Sequence, residues 1–135
     1  MCEITLDATI ENIAEVTAFI DEQLKKIDCP AKAQMQIAIC IDELFGNIAH
    51  YAYPEGVGKA TVQFKMEEEP KMAVLTFIDS GIPYNPLEKE DPDITLALED
   101  RAVGGLGIFM VKKSVDEIFY EYREGENILT IKKRL

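Results

Sequence analysis

Residues 37–54 read IAICIDELFGNIAHYAYP, and this stretch decides the fold. Ile37 to His50 is apolar nearly all round when wound as a helix, which predicts burial on several sides. Among the polar residues that break the pattern, Glu43 and Asn47 stand four positions apart, and that spacing puts both on one helical face, with His50 extending the stripe. A carboxylate and an amide on a buried helix suit one kind of chemistry in particular. An Asn amide oxygen can ligate Mg²⁺, a hard cation that prefers oxygen. A carboxylate one turn away can take the proton of a hydroxyl or water that attacks a phosphate. A solvated polar stripe would carry the same two residues, so the helix decides nothing alone.

Reading outward, Pro30 sets the start of this helix, which is expected over 31–52. Before it, Ile10, Ile13, Val16, Phe19, Ile20, Leu24 and Ile27 recur at helical spacing, with Thr9 as the expected N-cap and Asn12 where a capping-box Glu would stand. Residues 3–8 alternate as a short strand. After it, 59–66 and 72–78 are rich in Val, Phe and Thr and read as strands around an acidic turn. A proline-rich acidic segment follows, and 85–103 is expected to be a lid. A helix is expected at 106–115, then strands at 117–123 and 128–133 joined by a Glu124-Gly125-Glu126-Asn127 hairpin. The order β-α-α-β-β-lid-α-β-β predicts an α+β two-layer sandwich: a mixed, mostly antiparallel sheet with helices on one face. Residues 1–135 carry no internal repeat or linker and are expected to form one domain.

Two more clusters bear on function. Asp79-Ser80-Gly81 follows the apolar strand Ala73–Ile78, so Asp79 stands where a buried strand emerges. An ionised Asp only accepts hydrogen bonds and suits an exocyclic amine such as that of adenine, while Gly81 would let a flat ring approach the backbone. Asp-Ser-Gly is also an ordinary turn composition. Gly104-Gly105-Leu106-Gly107 opens a helix, where backbone N–H groups and the positive end of the dipole can cradle phosphate. It lacks the Lys-Ser/Thr of a P-loop and the third glycine of a dinucleotide fingerprint. A flexible hinge would look the same.

In this order the three clusters resemble the ATP-binding boxes of Bergerat-fold (GHKL) ATPases. IDELFGNIAHYAYP (41–54), FIDSGIPYNPL (77–87) and GGLGIFMVKKSVDEIFYEY (104–122) are similar to one branch of that superfamily, the anti-sigma-factor serine kinases, over essentially the whole chain. The resemblance implies ATP and Mg²⁺ as cofactors. It makes Glu43 the catalytic base, Asn47 the Mg²⁺ ligand, and Asp79 with Gly81 the adenine site. Gly104, Gly105, Leu106 and Gly107 would hold the phosphates, and Thr130 on the last strand would lie near adenine. Where some relatives carry a basic residue beside the lid glycines, this sequence has Val103, and the nearest arginine is Arg101. The implied partners are a STAS-domain antagonist phosphorylated on serine and a sigma factor sequestered by a homodimer. A non-catalytic ATP-sensing module would have almost the same sequence. A detached histidine-kinase catalytic domain fits less well, because Pro83 stands where those domains usually have a second glycine, and His50 is expected to pack within its helix rather than accept phosphate.

Composition narrows the field further. With 14 basic residues against 25 acidic ones the net charge is −11, so direct nucleic-acid binding is not expected. No apolar run approaches the roughly 20 residues that a membrane helix needs. Met1-Cys2-Glu3-Ile4 has no basic-then-apolar leader, and a cytoplasmic protein is expected. The three cysteines (Cys2, Cys29, Cys40) match neither a disulfide framework nor a zinc pair, and His50 is the only histidine.

Overall fold

Strand pairing builds the molecule from rows of side chains. In the computed structural model, which describes residues 1–88 and 106–135, one row runs Ile4, Val62, Phe77, Leu129, Tyr120 across five neighbouring strands. The strands are β1 (Cys2–Asp7), β2 (Lys59–Glu68), β3 (Lys71–Asp79), β4 (Glu117–Arg123) and β5 (Glu126–Arg134), in the spatial order β1-β2-β3-β5-β4. Every pairing is antiparallel. The α+β sheet expected to be mixed, mostly antiparallel, is antiparallel at every described pairing. The physical reason lies in the crossover: β4 runs in the same direction as β3, and β5 folds back into the gap between them and separates the two.

Three α-helices are found among the described residues, α1 (Ile13–Lys26), α2 (Ala31–Asn47) and α3 (Leu106–Ser114). The two-residue period of the strands sends Val62, Phe64, Leu75, Phe77 and Ile131 to one face of the sheet, and the buried side chains of α1 and α2 meet them there in a single core cluster. Phe45, Ile20, Leu24, Ile37 and Ile41 are the largest fully buried contributors from α1 and α2. The other sheet face is lined by rows such as Glu3, Gln63, Thr76, Thr130 and Phe119.

Local chemistry explains where the elements differ from expectation. Thr9 is extended (φ −125°, ψ 154°) and caps nothing with its side chain. Residues Ile10–Asn12 form a 3₁₀ turn, and the Asn12 amide reaches back to the Asp7 carbonyl at 2.8 Å, so α1 starts later than its apolar spacing implied. The α2 helix gives way at Ile48–Ala52 to a π turn instead of continuing as α-helix. That change leaves the Ala52 carbonyl to accept the Ile82 backbone N–H at 2.9 Å. The last hairpin turns on Glu124 and Gly125 alone, both left-handed (φ 53° and 80°), the pattern that fits strand twist. Glu126 and Asn127 consequently belong to β5, not to the turn.

Phe45 has no exposed surface and is central to the α2–sheet contact. Phe45→Ala is expected to lower unfolding free energy by about 3–5 kcal/mol through lost transfer energy and a residual cavity. Met35, on the same helix but 59% exposed, is the control, and Met35→Ala should shift the urea midpoint little.

Candidate functional site

A pocket opens where the C-terminal ends of α2 and β3 meet the start of β5. Leu44, Ile48, Phe77 and Leu129 give it apolar walls, and Tyr51, Tyr84 and Tyr120 add aromatic edges. The Tyr51 and Tyr84 rings lie 6.0 Å apart between centroids. Among the described residues, Asn47, Asp79 and Asn127 alone bring amide or carboxylate groups to this lining.

Asp79 ends β3 and is 6% exposed. Its Oδ1 accepts the Gly81 N–H and the Asn127 Nδ2–H, each at 2.9 Å. Burial pushes its carboxyl above the usual carboxylate range, and those two hydrogen bonds pull it partly back. Oδ2 has no hydrogen-bond partner among the described residues. An acceptor oxygen in an apolar pocket suits a donor on the edge of a flat ring.

Gly81 has a packing task that the sequence did not suggest. A Cβ there would run into the Ala52 carbonyl oxygen, so the glycine lets the segment after β3 close on the π turn. Tyr53 secures the same junction: its hydroxyl donates to the Lys59 carbonyl at 2.6 Å and accepts the Ser80 N–H at 2.9 Å.

Asn47 lines the pocket from the last turn of α2. Glu43, one turn earlier and half-buried, is not in that lining; its carboxylate lies against Gly107 of α3, where any Cβ would collide with it. The structure thus brings Asn47 and Asp79 to one pocket and Glu43 and Gly107 to one contact beside it. His50 is exposed in the π turn, with its ring 5.9 Å from that of Tyr51, and does not pack within the helix as expected. Leu106 opens α3. Gly104, Gly105, Val103 and Arg101, with residues 89–103 of the expected lid, lie outside the described residues.

Thr130 requires a correction. Its hydroxyl is 3.2 Å from that of its cross-strand neighbour Thr76, on the sheet face away from the pocket, because Leu129 and Ile131 on either side face the core. Asn127, three positions earlier and of opposite parity, is the polar β5 residue that reaches the pocket, beside the apolar Leu129. Sequence reading missed it by assigning it to the hairpin; a polar residue in step with Leu129 and Ile131 was the available signal. The free cysteines play no part: Cys40 is buried and its thiol is pushed up to about 11, whereas Cys2 is exposed and Cys29 half-buried.

Known proteins share this arrangement of elements. The family model described as histidine kinase-like ATPase domain matches residues 6–133. The chain is similar to the serine/threonine-protein kinase BtrW of Bordetella bronchiseptica, 26% identical over 101 residues that cover 75% of this chain and 70% of that protein. It is also similar to the serine-protein kinases RsbW of Bacillus mycoides and Bacillus cereus, 31% identical over 98 residues, covering 70% of this chain and 60% of each of them. This chain therefore spans less than two thirds of the RsbW length. Among solved structures, the histidine kinase domain of a blue-light activated histidine kinase from Erythrobacter litoralis superposes with a TM-score of 0.56 at 17% identity, over 91% of this chain and 61% of that one. At such identity the likeness is one of fold.

Because Asp79 has a raised carboxyl pKa, its ionised form is less favourable in the folded than in the unfolded protein. The penalty is present at neutral pH, and it fades as pH falls through the raised value and then the ordinary carboxylate range, where both states become protonated. Asp79→Asn keeps an oxygen for Gly81 and Asn127 without the charge. Its urea midpoint at pH 7 should exceed that of the native protein, and the difference should shrink in acid. An equal gap at both pH values would contradict a buried-charge penalty.

Proposed function

This chain belongs to the histidine kinase-like ATPase domain family, and from that premise we propose that it is an ATP-dependent protein-serine kinase that works by partner switching. Its substrate on this reading is a STAS-domain antagonist, phosphorylated on serine, and the partner that it sequesters is a regulatory protein of the sigma-factor kind. Residues 1–135 act as one histidine-kinase-like domain, and the working form is a cytoplasmic homodimer without direct nucleic-acid contact. Among the described residues no helix is long and apolar enough to cross a membrane. The observation that carries the proposal is the Asp79 carboxylate: buried, bound through Oδ1 alone among the described residues, and part of the lining of an apolar pocket that Asn47 also lines.

The residues present fit a nucleotide. Adenine would donate its exocyclic amine to Asp79 Oδ2 and lie between apolar walls. Asn47 would hold Mg²⁺ through its amide oxygen. Mg²⁺ held there would take most of its other ligands from water and phosphate. When bound, Mg²⁺ would neutralise phosphate charge. Glu43 is the base on this reading. It takes the proton of the attacking serine hydroxyl as the serine oxygen bonds to the γ-phosphorus, and the bond to the β,γ-bridging oxygen breaks with its electron pair leaving on ADP. Gly107, seated on the Glu43 carboxylate, keeps that side chain at the start of α3. The phosphate-binding role of Gly104, Gly105, Leu106 and Gly107 is part of the same proposal, with exposed N–H groups at a helix start as its physical basis.

The test uses ATP labelled at the γ-phosphate and candidate STAS proteins. Transfer to serine is expected from the native chain. Glu43→Ala should bind ATP nearly as well but transfer about 10²–10⁴-fold more slowly, the usual contribution of a positioned base. Unchanged transfer by Glu43→Ala would remove Glu43 from the chemistry. Nucleotide binding with no transfer to any STAS protein would leave the ATP-sensing module as the better account.

A further inference from the structure

Asn127 is a buried residue whose amide is fully used. It is 6% exposed. Nδ2 donates to Asp79 Oδ1 and to the Ile82 carbonyl, both at 2.9 Å. Oδ1 accepts the Tyr84 N–H at 3.1 Å and the Tyr120 hydroxyl. A primary amide has two donor hydrogens and an oxygen with two lone pairs, so nothing is left over for a ligand. The partners come from β3, from the segment after it and from β4, and Ile82, Tyr84 and Tyr120 all line the pocket. One side chain on β5 thus joins three walls.

The consequence falls on Asp79. A carboxylate at the end of a strand can rotate and exchange its oxygens unless one of them is held. Here the Gly81 N–H and the Asn127 amide both hold Oδ1, and Oδ2 of this pocket-lining carboxylate is left without a hydrogen bond among the described residues. We propose that Asn127 is the positioning residue that sets the base preference of the pocket: by pinning Asp79 Oδ1, and with it the Ile82–Tyr84 backbone, it presents Oδ2 as one fixed acceptor for a purine bearing an exocyclic amine. The inference rests on the nucleotide reading above and goes beyond it, because it assigns discrimination to a residue whose own amide groups are all bonded within the fold. Unpinned, the carboxylate can turn away from the base or recruit water, and an amine at that position loses its advantage.

Calorimetric titration of the full chain with ATP, and with purine riboside 5′-triphosphate, which lacks the amine, tests this. The native protein is expected to prefer ATP about tenfold or more, the effect of one donor–acceptor pair in a desolvated pocket. Asn127→Leu should bring the ratio of the two affinities close to one, with purine riboside triphosphate affinity changed little. Tyr120→Phe removes only the hydroxyl donor to Asn127 and should reduce the preference by about two- to fivefold, as expected for loss of one hydrogen bond in a network. A purely structural Asn127 would weaken both nucleotides alike and leave the ratio intact, which overturns the proposal. Should Asn127→Leu fail to fold, an unchanged ratio in Tyr120→Phe overturns it equally. A native protein that binds both nucleotides with equal affinity removes Asp79 as the base acceptor, and one that binds neither overturns the nucleotide reading itself and this inference with it.

Discussion

A buried carboxylate is the constraint on which the site turns. Asp79 is 6% exposed, at the end of a strand whose preceding residues are core. An ionised group in such surroundings costs folding energy unless hydrogen bonds offset the loss of water. Two donors do so from different parts of the chain: Gly81, two residues on, and Asn127, on the adjacent strand. Both bonds go to one oxygen. The carboxylate is therefore stabilised enough to persist and still carries an unused acceptor. The antiparallel register of β3 and β5, which pairs Asp79 directly with Asn127, is what makes that geometry available.

The glycines serve the same end by allowing close approach. At Gly81 the neighbour is backbone, the Ala52 carbonyl, which cannot give way. At Gly107 the neighbour is the Glu43 carboxylate, a flexible group whose rotamer would move instead. The two contacts differ in consequence. A side chain at position 81 would force α2's π turn and the segment after β3 apart and so disturb the pocket's shape. A side chain at position 107 would redirect Glu43 and leave the pocket's walls in place. The pocket's shape and the placement of the Glu43 carboxylate are thus governed by different glycines.

Much of this was legible in the sequence, because the features concerned are local. The apolar run around Glu43 and Asn47 and the strand that delivers Asp79 each announce themselves within a short window, and the five strands found among the described residues were visible as elements. What escaped depends on pairing. The assignment of Thr130 failed on parity: one residue along a strand exchanges the two faces of the sheet, and only the register tells which is inward. Asn127 escaped because the hairpin could close with two residues or four, and Glu124-Gly125, both left-handed, close it with two. The π turn at Ile48–Ala52 escaped because its sequence continues the helical pattern; the switch is rewarded by a tertiary bond, Ile82 N–H to the Ala52 carbonyl.

The distribution of roles over elements has a thermodynamic reason. The α2 helix buries Ile37, Cys40, Ile41, Leu44 and Phe45 against the sheet, and the same rigid element carries Glu43 and Asn47. Side chains on a packed helix lose little further freedom when they meet a ligand, so ordering costs that binding would otherwise bear are met during folding. Asp79 follows the same logic with the opposite sign. Its charge is carried in the folded state at a cost, as the raised carboxyl pKa shows, and hydrogen bonding recovers only part of it. A residue that weakens the free protein while exposing an unmatched acceptor is destabilising for the fold and favourable for binding. The apolar core supplies the margin that lets the chain retain it.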